Sequence, residues 1–423
     1  MRRSVSLATV TAILLSTGAA MATGPMQSIR PAERSVQATS ETPKAAAPST
    51  QGLRTWVQAF RARALKQGIA ASTFDTAMRG LTYDSDIIRR DRNQAEFTKT
   101  IWDYLDTAVS DLRIANGRKA LAKWNTTLDR IEAQFGVEKE VVVAIWGLES
   151  AYGTFRGSAP VINGLATLAF DGRRAAFFES ELIDALRILQ NGDVSPGQMT
   201  GSWAGAMGHT QFMPSSFQAH AVDFDNNGTR NIWGDDPVDA LASTGAYLRH
   251  FGWTADQPWG VEVQLPKGFD VLLADRKITR LPSEWAALGV TPGSGEFEDA
   301  HGMASVLLPG GAEGAAFLIF SNFAVLEKYN TADAYVVGVG HLSDRIEGGP
   351  AIAHNWPRRL RALSKGERIE LQERLTAAGF DTVKIDAKMG PLTIDAVRRF
   401  QQSQGVLSDG YPSLMVLDRL RGL

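Results

Sequence analysis

The sequence predicts a mainly helical protein: one large helical unit carrying a small β-containing insertion, then a short module of three helices. Three observations predict it. Apolar residues recur at helical spacing from Leu53 to Leu189. A nearly unbroken apolar run, Val141 to Leu148, stops at a single carboxylate, Glu149. Gly348-Gly349-Pro350 then breaks the chain ahead of a stretch that, at roughly 60 residues, can form one small independent unit.

A chain of 423 residues has room for two or three domains and a sizeable core. Hydrophobic content of 44% and charged content of 21% are ordinary for a soluble globular protein. A net charge of −2 and a pI near 6.3 supply no basic field, so no nucleic-acid partner is expected. Arg2 and Arg3 precede an apolar, small-residue stretch, Val5 to Ala22, and Ala20-Met21-Ala22 fits a small-x-small cleavage site. Residues 1–22 therefore read as a signal peptide. Ser and Thr within it make a poor permanent span, so no membrane span is expected after cleavage. The chain has no Cys and so no lipid-anchor thiol, disulfide or thiolate metal ligand. Export to a periplasm as a soluble protein is the expectation.

Residues 23–50, rich in Ala, Ser, Thr, Pro and Gln, read as a disordered linker. Residues 51–348 form the large unit. Trp56, Phe60, Ala64 and Leu65 share a helical face; so do Ile101, Leu105, Val109 and Leu112, and then Leu121, Trp124, Leu128 and Ile131. All are expected in the core. In Val141–Leu148 the β-branched valines favour a strand, while the acids of Glu138-Lys-Glu140 suit a first helical turn and Gly153 a stop. Periodicity alone does not decide, and these flanking signals predict a buried helix with Glu149 near its C-terminal end. Burial and the negative end of the helix dipole both raise a carboxyl pKa there, which suits a general acid. A buried glutamate paired with an arginine would look the same in sequence.

A further helix runs past Arg173 and Arg174 to Asn191-Gly192; adjacent in sequence, the two arginines point to different faces and would begin it in solvent. Residues 201–216 are dominated by small residues, where Gly permits close backbone approach. Gln211 there suits a hydrogen bond to a sugar or to the backbone. Asp223-Phe-Asp-Asn-Asn-Gly228 matches the first half of a calcium loop, with oxygens from Asp223, Asp225 and Asn227 and a carbonyl from Thr229. Gly234 stands where that motif needs a bidentate Glu, so a later acid, Asp235, Asp236 or Asp239, must close the site; an Asx-rich turn is the other reading. Asp239–Gly252 is helical, 257–310 is the β-containing insertion, and 315–346 returns to helix. Residues 349–365 read as a linker. In 366–423, Ile369–Leu375, the stretch after Gly390 with Thr393 as its cap, and the stretch from Leu414 are the three helices.

The motifs Glu149-Ser-Ala-Tyr-Gly153, Gly201-Ser-Trp-Ala-Gly-Ala-Met-Gly208 and Gln211-Phe-Met-Pro-Ser215 resemble, in order and spacing, the lytic murein transglycosylase B family, over about residues 53 to 346. Leu371-Gln372, Gly379-Phe380, Asp386, Gly390-Pro391, Thr393, Phe400-Gln401 and Asp409-Gly410 resemble its frequent companion, a peptidoglycan-binding module. The resemblance implies a lysozyme-like catalytic domain and non-hydrolytic cleavage of the bond between N-acetylmuramic acid and N-acetylglucosamine, leaving 1,6-anhydromuramyl ends. It makes Glu149 the catalytic acid. It places Ser202, Gln211, Tyr247, Tyr329, Asn330 and Tyr335 on the sugars, and Arg173 and Arg174 on the peptide stem or lactyl carboxylate. It carries a structural calcium onto Asp223, Asp225, Asn227, Thr229 and Asp239, with longer spacing before Asp239 than in the type member, and no cofactor for the chemistry. Its partners are glycan strands of peptidoglycan, with other cell-wall enzymes as candidates. His209 stands where Gln is common. Two rival readings are a hydrolytic muramidase, which needs a second carboxylate, and a non-catalytic peptidoglycan-binding protein.

Overall fold

The structure, a computed structural model, describes residues 49–92 and 99–423. The expected signal peptide and nearly all of the 23–50 linker lie outside the described residues. Among the described residues no helix is long and apolar enough to cross a membrane.

Helix α1 (Thr50–Lys66) starts where Ser49 Oγ accepts from Gly52 N at 3.1 Å. It is followed by α2 (Ala71–Ala77), α3 (Ser85–Arg92), α4 (Ile101–Ala108), α5 (Asp111–Phe135) and α6 (Lys139–Ser150). The valine-rich run is thus a helix. Residues 141–147 are all buried, because α5, α10 (Val238–His250) and α13 (Asp333–Glu347) pack around α6. A helix covered on all sides needs no polar face, so the β-branched residues follow from burial. Leu112 departs from the expected stripe and is 72% exposed. Val109 ends α4 and Ser110 begins α5, so spacing counted across them does not mark one face.

Helices α7 (Val161–Asp171), α8 (Ala175–Asn191) and α9 (Pro214–His220) complete this side. Strand β1 (Ala159–Pro160) pairs antiparallel with β2 (Thr200–Gly201), which seats the 201–212 hairpin beside the end of α6. The approach is close: a Cβ on Gly157 would lie 2.2 Å from the Gly201 backbone. The insertion holds α11 (Pro282–Ala287) and an antiparallel sheet in the order β4-β3-β6-β5, from β3 (Gly260–Gln264), β4 (Thr291–Pro292), β5 (Ser305–Leu307) and β6 (Ala316–Ile319). It extends beyond 310. Ala316–Ile319, expected to be helical, is one of the two inner strands and buried at every residue, where an unbroken apolar run suits either element. Helix α12 (Ser321–Tyr329) returns the chain to the bundle.

Helices α14 (Lys365–Ala377), α15 (Pro391–Ser403) and α16 (Leu414–Arg421) enclose Leu371, Leu375, Val397, Phe400 and Leu417. Ser364 and Glu367 form a capping box on α14. Thr393 is not the cap of α15: Gly390 is, and the Thr393 hydroxyl donates to Lys388 O at 3.2 Å and accepts from Gln372 at 3.1 Å. Between Gly349 and Ser364 there is neither helix nor strand, yet this strap is fastened down. Glu262 accepts from Ala353 N and His354 N, each at 2.8 Å. Arg358 pairs with Asp106 at 2.7 Å, and Trp356 packs on buried Trp102 with ring centroids 6.2 Å apart.

Candidate active site

Glu149, one residue short of the end of α6, emerges half-buried from the bundle. Tyr335, in the first turn of α13, donates its hydroxyl to Glu149 Oε1 at 2.5 Å. Burial, and then the charge of Glu149, hold the Tyr335 phenol well above its usual pKa, so it stays a donor. Tyr329 is raised for the same two reasons, and donates to Thr210 O at 2.7 Å. Burial pushes Tyr247 up to about 12, and its hydroxyl reaches Lys328 O at 2.6 Å. The Tyr247 and Tyr329 rings meet at 5.1 Å, with Phe212 against both at 5.7 and 6.0 Å. These contacts make one wall beside the acid from segments far apart in sequence.

The chain leaves α6 through three consecutive left-handed residues, Ala151, Tyr152 and Gly153, with φ of 48°, 59° and 85°. Two are not glycine, a conformation costing roughly 1–2 kcal/mol each. Neighbours hold them there. Tyr152 donates to Arg113 O at 2.7 Å, and the Arg113 guanidinium donates to Gly147 O inside α6. Ser150 Oγ donates to His209 O at 2.6 Å and accepts from Gly153 N at 2.9 Å. A Cβ on Gly153 would stand 2.6 Å from the His209 ring, so glycine is needed for both its φ and its space.

His209 is 2% exposed. Its Nδ1 accepts from Trp146 Nε1 at 3.1 Å, which puts the proton on Nε2, the donor to Gly234 O at 2.7 Å. Burial lowers its pKa from 6.5, so it is neutral in the fold. The 201–212 hairpin is joined to the end of α6 by these His209 bonds. Ser202 Oγ accepts from Ala206 N at 3.0 Å. Gln211, at φ 55°, donates to Arg156 O at 3.0 Å and Gly208 O at 2.8 Å; of the two partners its sequence allowed, it holds backbone here.

A sequence profile of the transglycosylase SLT domain matches residues 52–344. The chain belongs to that family. It is an enzyme of the transglycosylase SLT class, with a second match, to a peptidoglycan binding domain, over residues 364–420. It is 33% identical over 250 residues to membrane-bound lytic murein transglycosylase B of Escherichia coli (strain K12), covering 57% of this chain and 66% of that protein. Pseudomonas aeruginosa SltB3, solved in complex with NAG-anhNAM-pentapeptide, is 46% identical with a TM-score of 0.84, covering 88% of this chain and 100% of that one. Escherichia coli Slt35, solved in complex with calcium, is 28% identical with a TM-score of 0.59, covering 69% and 92%.

In this transglycosylase Tyr335 sits on Glu149 with the Tyr329 and Tyr247 rings beside it, while Gln211 and Ser202 bond to backbone groups in and around the 201–212 hairpin. Asn330 is exposed and its Oδ1 accepts from Ala332 N at 3.0 Å, closing the turn between α12 and α13. Arg173 and Arg174 stand exposed ahead of α8, as expected, but Arg173 is also paired: its Nε donates to Asp91 Oδ2 at 2.6 Å, and the Asp91 side chain is 3% exposed. Arg174 lies over the Phe177 ring at 4.2 Å. Sequence reasoning missed Arg113, Tyr152 and Arg156, which support the end of α6 and its neighbours. Their partners lie on other segments, backbone carbonyls for all three and the Asp235 carboxylate as well for Arg156, and the chain carries no local signal for them.

His209 makes a testable contribution to stability. A depressed folded pKa means that the unfolded chain binds the proton more readily, so stability falls as pH drops below the unfolded value of 6.5. His209→Gln cannot titrate. Melting temperatures measured from pH 7 to pH 5 should fall more steeply for wild type than for His209→Gln; parallel curves would mean that this ring carries no pH dependence.

Proposed function

We propose that this transglycosylase cleaves the β-1,4 bond between N-acetylmuramic acid and N-acetylglucosamine in peptidoglycan and leaves 1,6-anhydromuramyl ends. The observation that carries the reading is the Tyr335 hydroxyl fixed on Glu149 at 2.5 Å, at the end of a helix buried on every side. Glu149 gives its proton to the glycosidic oxygen as the C1–O bond breaks, and the muramyl N-acetyl group stabilises the anomeric carbon. The muramyl C6 hydroxyl then closes on C1 and returns its proton to Glu149. No water is consumed, and the nucleophile has the advantage of an intramolecular reaction. Ser202, Gln211, Tyr247, Tyr329 and Asn330 take the sugars, and Arg173 and Arg174 the peptide stem or lactyl carboxylate. The complex of the relative SltB3 with NAG-anhNAM-pentapeptide supports this choice of product. Such a reaction belongs to the periplasm, where residues 1–22 would send the chain, with peptidoglycan strands and other cell-wall enzymes as its partners. Mass spectrometry of products from purified sacculi tests the proposal: anhydro ends lack one water, and products carrying it would mean hydrolysis.

The 223–239 loop fits a structural calcium. Asp223, Asp225 and Asp239 each offer a carboxylate oxygen within 4.8 Å of the others. Asp223 accepts from Asn227 N at 3.0 Å and Gly228 N at 2.8 Å, and Asn227 Oδ1 accepts from Thr229 N at 2.9 Å. Asp239 accepts from Phe224 N and Asn231 N, both at 2.8 Å, so it is the acid that ties the loop to α10. A hard, oxygen-preferring cation suits such donors; Asp223, Asp225, Asn227, Thr229 and Asp239 would hold it, and it would neutralise their mutual repulsion and steady Tyr247. Binding to the native state alone adds roughly 2.7 kcal/mol at a hundredfold excess over Kd. Calcium should therefore raise the melting temperature of wild type but not of Asp225→Ala, and magnesium should do less. A wild-type curve indifferent to millimolar calcium would leave the Asx-rich turn as the whole account.

A further inference from the structure

The turn that brings Tyr335 to Glu149 is closed by the Asn330 N bond to Leu326 O at 3.3 Å and the Ala332 N bond to Asn330 Oδ1 at 3.0 Å. Between α12 and α13 the chain reverses through Tyr329–Ala332, and one guanidinium bridges side chains on the two helix ends. Arg276, from the insertion, pairs with Glu327 in the last turn of α12 and, at 2.5 Å, with Asp333, the first residue of α13. Its plane lies over Phe323 at 5.0 Å. Without it two half-buried carboxylates would face each other across the turn. Lysine could not replace it fully, because an ammonium is a point charge and cannot span two acceptors as a planar fork does.

The residues just before Arg276 are held from the other side by the C-terminal module. Arg398, on α15 and only 14% exposed, donates to Ala274 O at 2.8 Å and pairs with Asp275 at 3.3 Å. A second seat lies close by, where Asp409 accepts from Ala312 N at 3.1 Å. One continuous set of contacts therefore runs from the module through Ala274–Arg276 and the α12–α13 turn to Tyr335 and Glu149.

We propose that Arg276 is a positioning residue for the Tyr335–Glu149 pair, and that the C-terminal module, through Arg398, braces it; the module thus sets turnover as well as attachment to the wall. This rests on Glu149 being the acid. A tether changes how tightly substrate is held, whereas a brace changes the rate once substrate is bound, because displacement of a reacting group by about 1 Å can cost ~10²-fold.

The test is steady-state kinetics of the full-length protein on a soluble, uncrosslinked glycan fragment, with circular dichroism to confirm folding. Arg276→Met should lower kcat by ~10–100-fold with KM changed by less than about threefold, and Arg276→Lys should fall between it and wild type. Arg398→Met should lower kcat in the same direction by roughly 3–10-fold, again without a matching rise in KM. In a Tyr335→Phe background Arg276→Met should cost little more, since the contact it positions is already gone. An Arg398→Met enzyme with wild-type kcat overturns the brace, and this variant alone decides the matter if Arg276→Met does not fold. An equal loss of kcat from Arg276→Met with and without the Tyr335 hydroxyl overturns the positioning role. Glu149→Gln is run alongside: if it keeps turnover, the underlying reading fails; if it is inactive while both arginine variants keep wild-type kcat, only this inference fails.

Discussion

Replacing Glu149 with glutamine should abolish glycan cleavage while leaving the fold intact. The amide has nearly the same shape and can still accept a hydrogen bond from Tyr335 through its carbonyl oxygen, so the 2.5 Å contact made by the acid has a substitute. What it cannot do is deliver a proton to the leaving oxygen or recover one from the C6 hydroxyl. General acid–base catalysis contributes ~10²–10⁴-fold, and here one group serves both steps, so the loss should lie at or beyond the upper end. Binding should survive, because Ser202, Gln211 and the tyrosines are untouched. The measurement is turnover on purified sacculi beside binding to the same sacculi. Turnover within tenfold of wild type would place the acid elsewhere; binding without cleavage would also dispose of a non-catalytic role for the native protein.

The second large effect should appear when the chain is shortened. A break at Gly348-Gly349-Pro350 suggests a fragment ending near Pro350 as the folded, active catalytic domain, with weaker retention on sacculi. Packing moves that boundary. Trp356 lies on Trp102, itself 2% exposed, and the strap adds the Arg358–Asp106 pair and two backbone bonds to Glu262. Removing a large aromatic from such a place costs ~3–5 kcal/mol, and in a domain of this size each kcal/mol is worth about 2–4 °C. A fragment ending at Gly349 should therefore melt roughly 10 °C below one ending at Ala362. Both lack the C-terminal module, so the comparison isolates the strap. Midpoints within about 2 °C of each other would make the strap a passive linker.

What the sequence by itself determined is local. An apolar run with acids ahead of it and a glycine behind it placed α6 and put Glu149 near its end, because burial demands apolar side chains and one carboxylate at the end of such a run stands out. The acids of 223–239 showed themselves through loop spacing, and Gly192 and Pro391 marked helix ends for backbone reasons alone. The same logic misled it where pattern and burial part company. Ala316–Ile319 is apolar throughout because both faces of its sheet are covered, and Leu112 lies beyond a helix break. Only the tertiary structure decided what surrounds the acid. Tyr335 is 186 residues from Glu149, Arg156 bonds to a carbonyl 78 residues away, and Arg173 finds Asp91 82 residues before it. Such contacts depend on which faces the packed helices turn toward one another, and a hydrogen bond to a distant backbone carbonyl imposes no pattern on the residues around either partner. The strap and the Arg398–Arg276 brace were hidden for the same reason: their side chains are ordinary surface arginines until the folded neighbours supply the carboxylates.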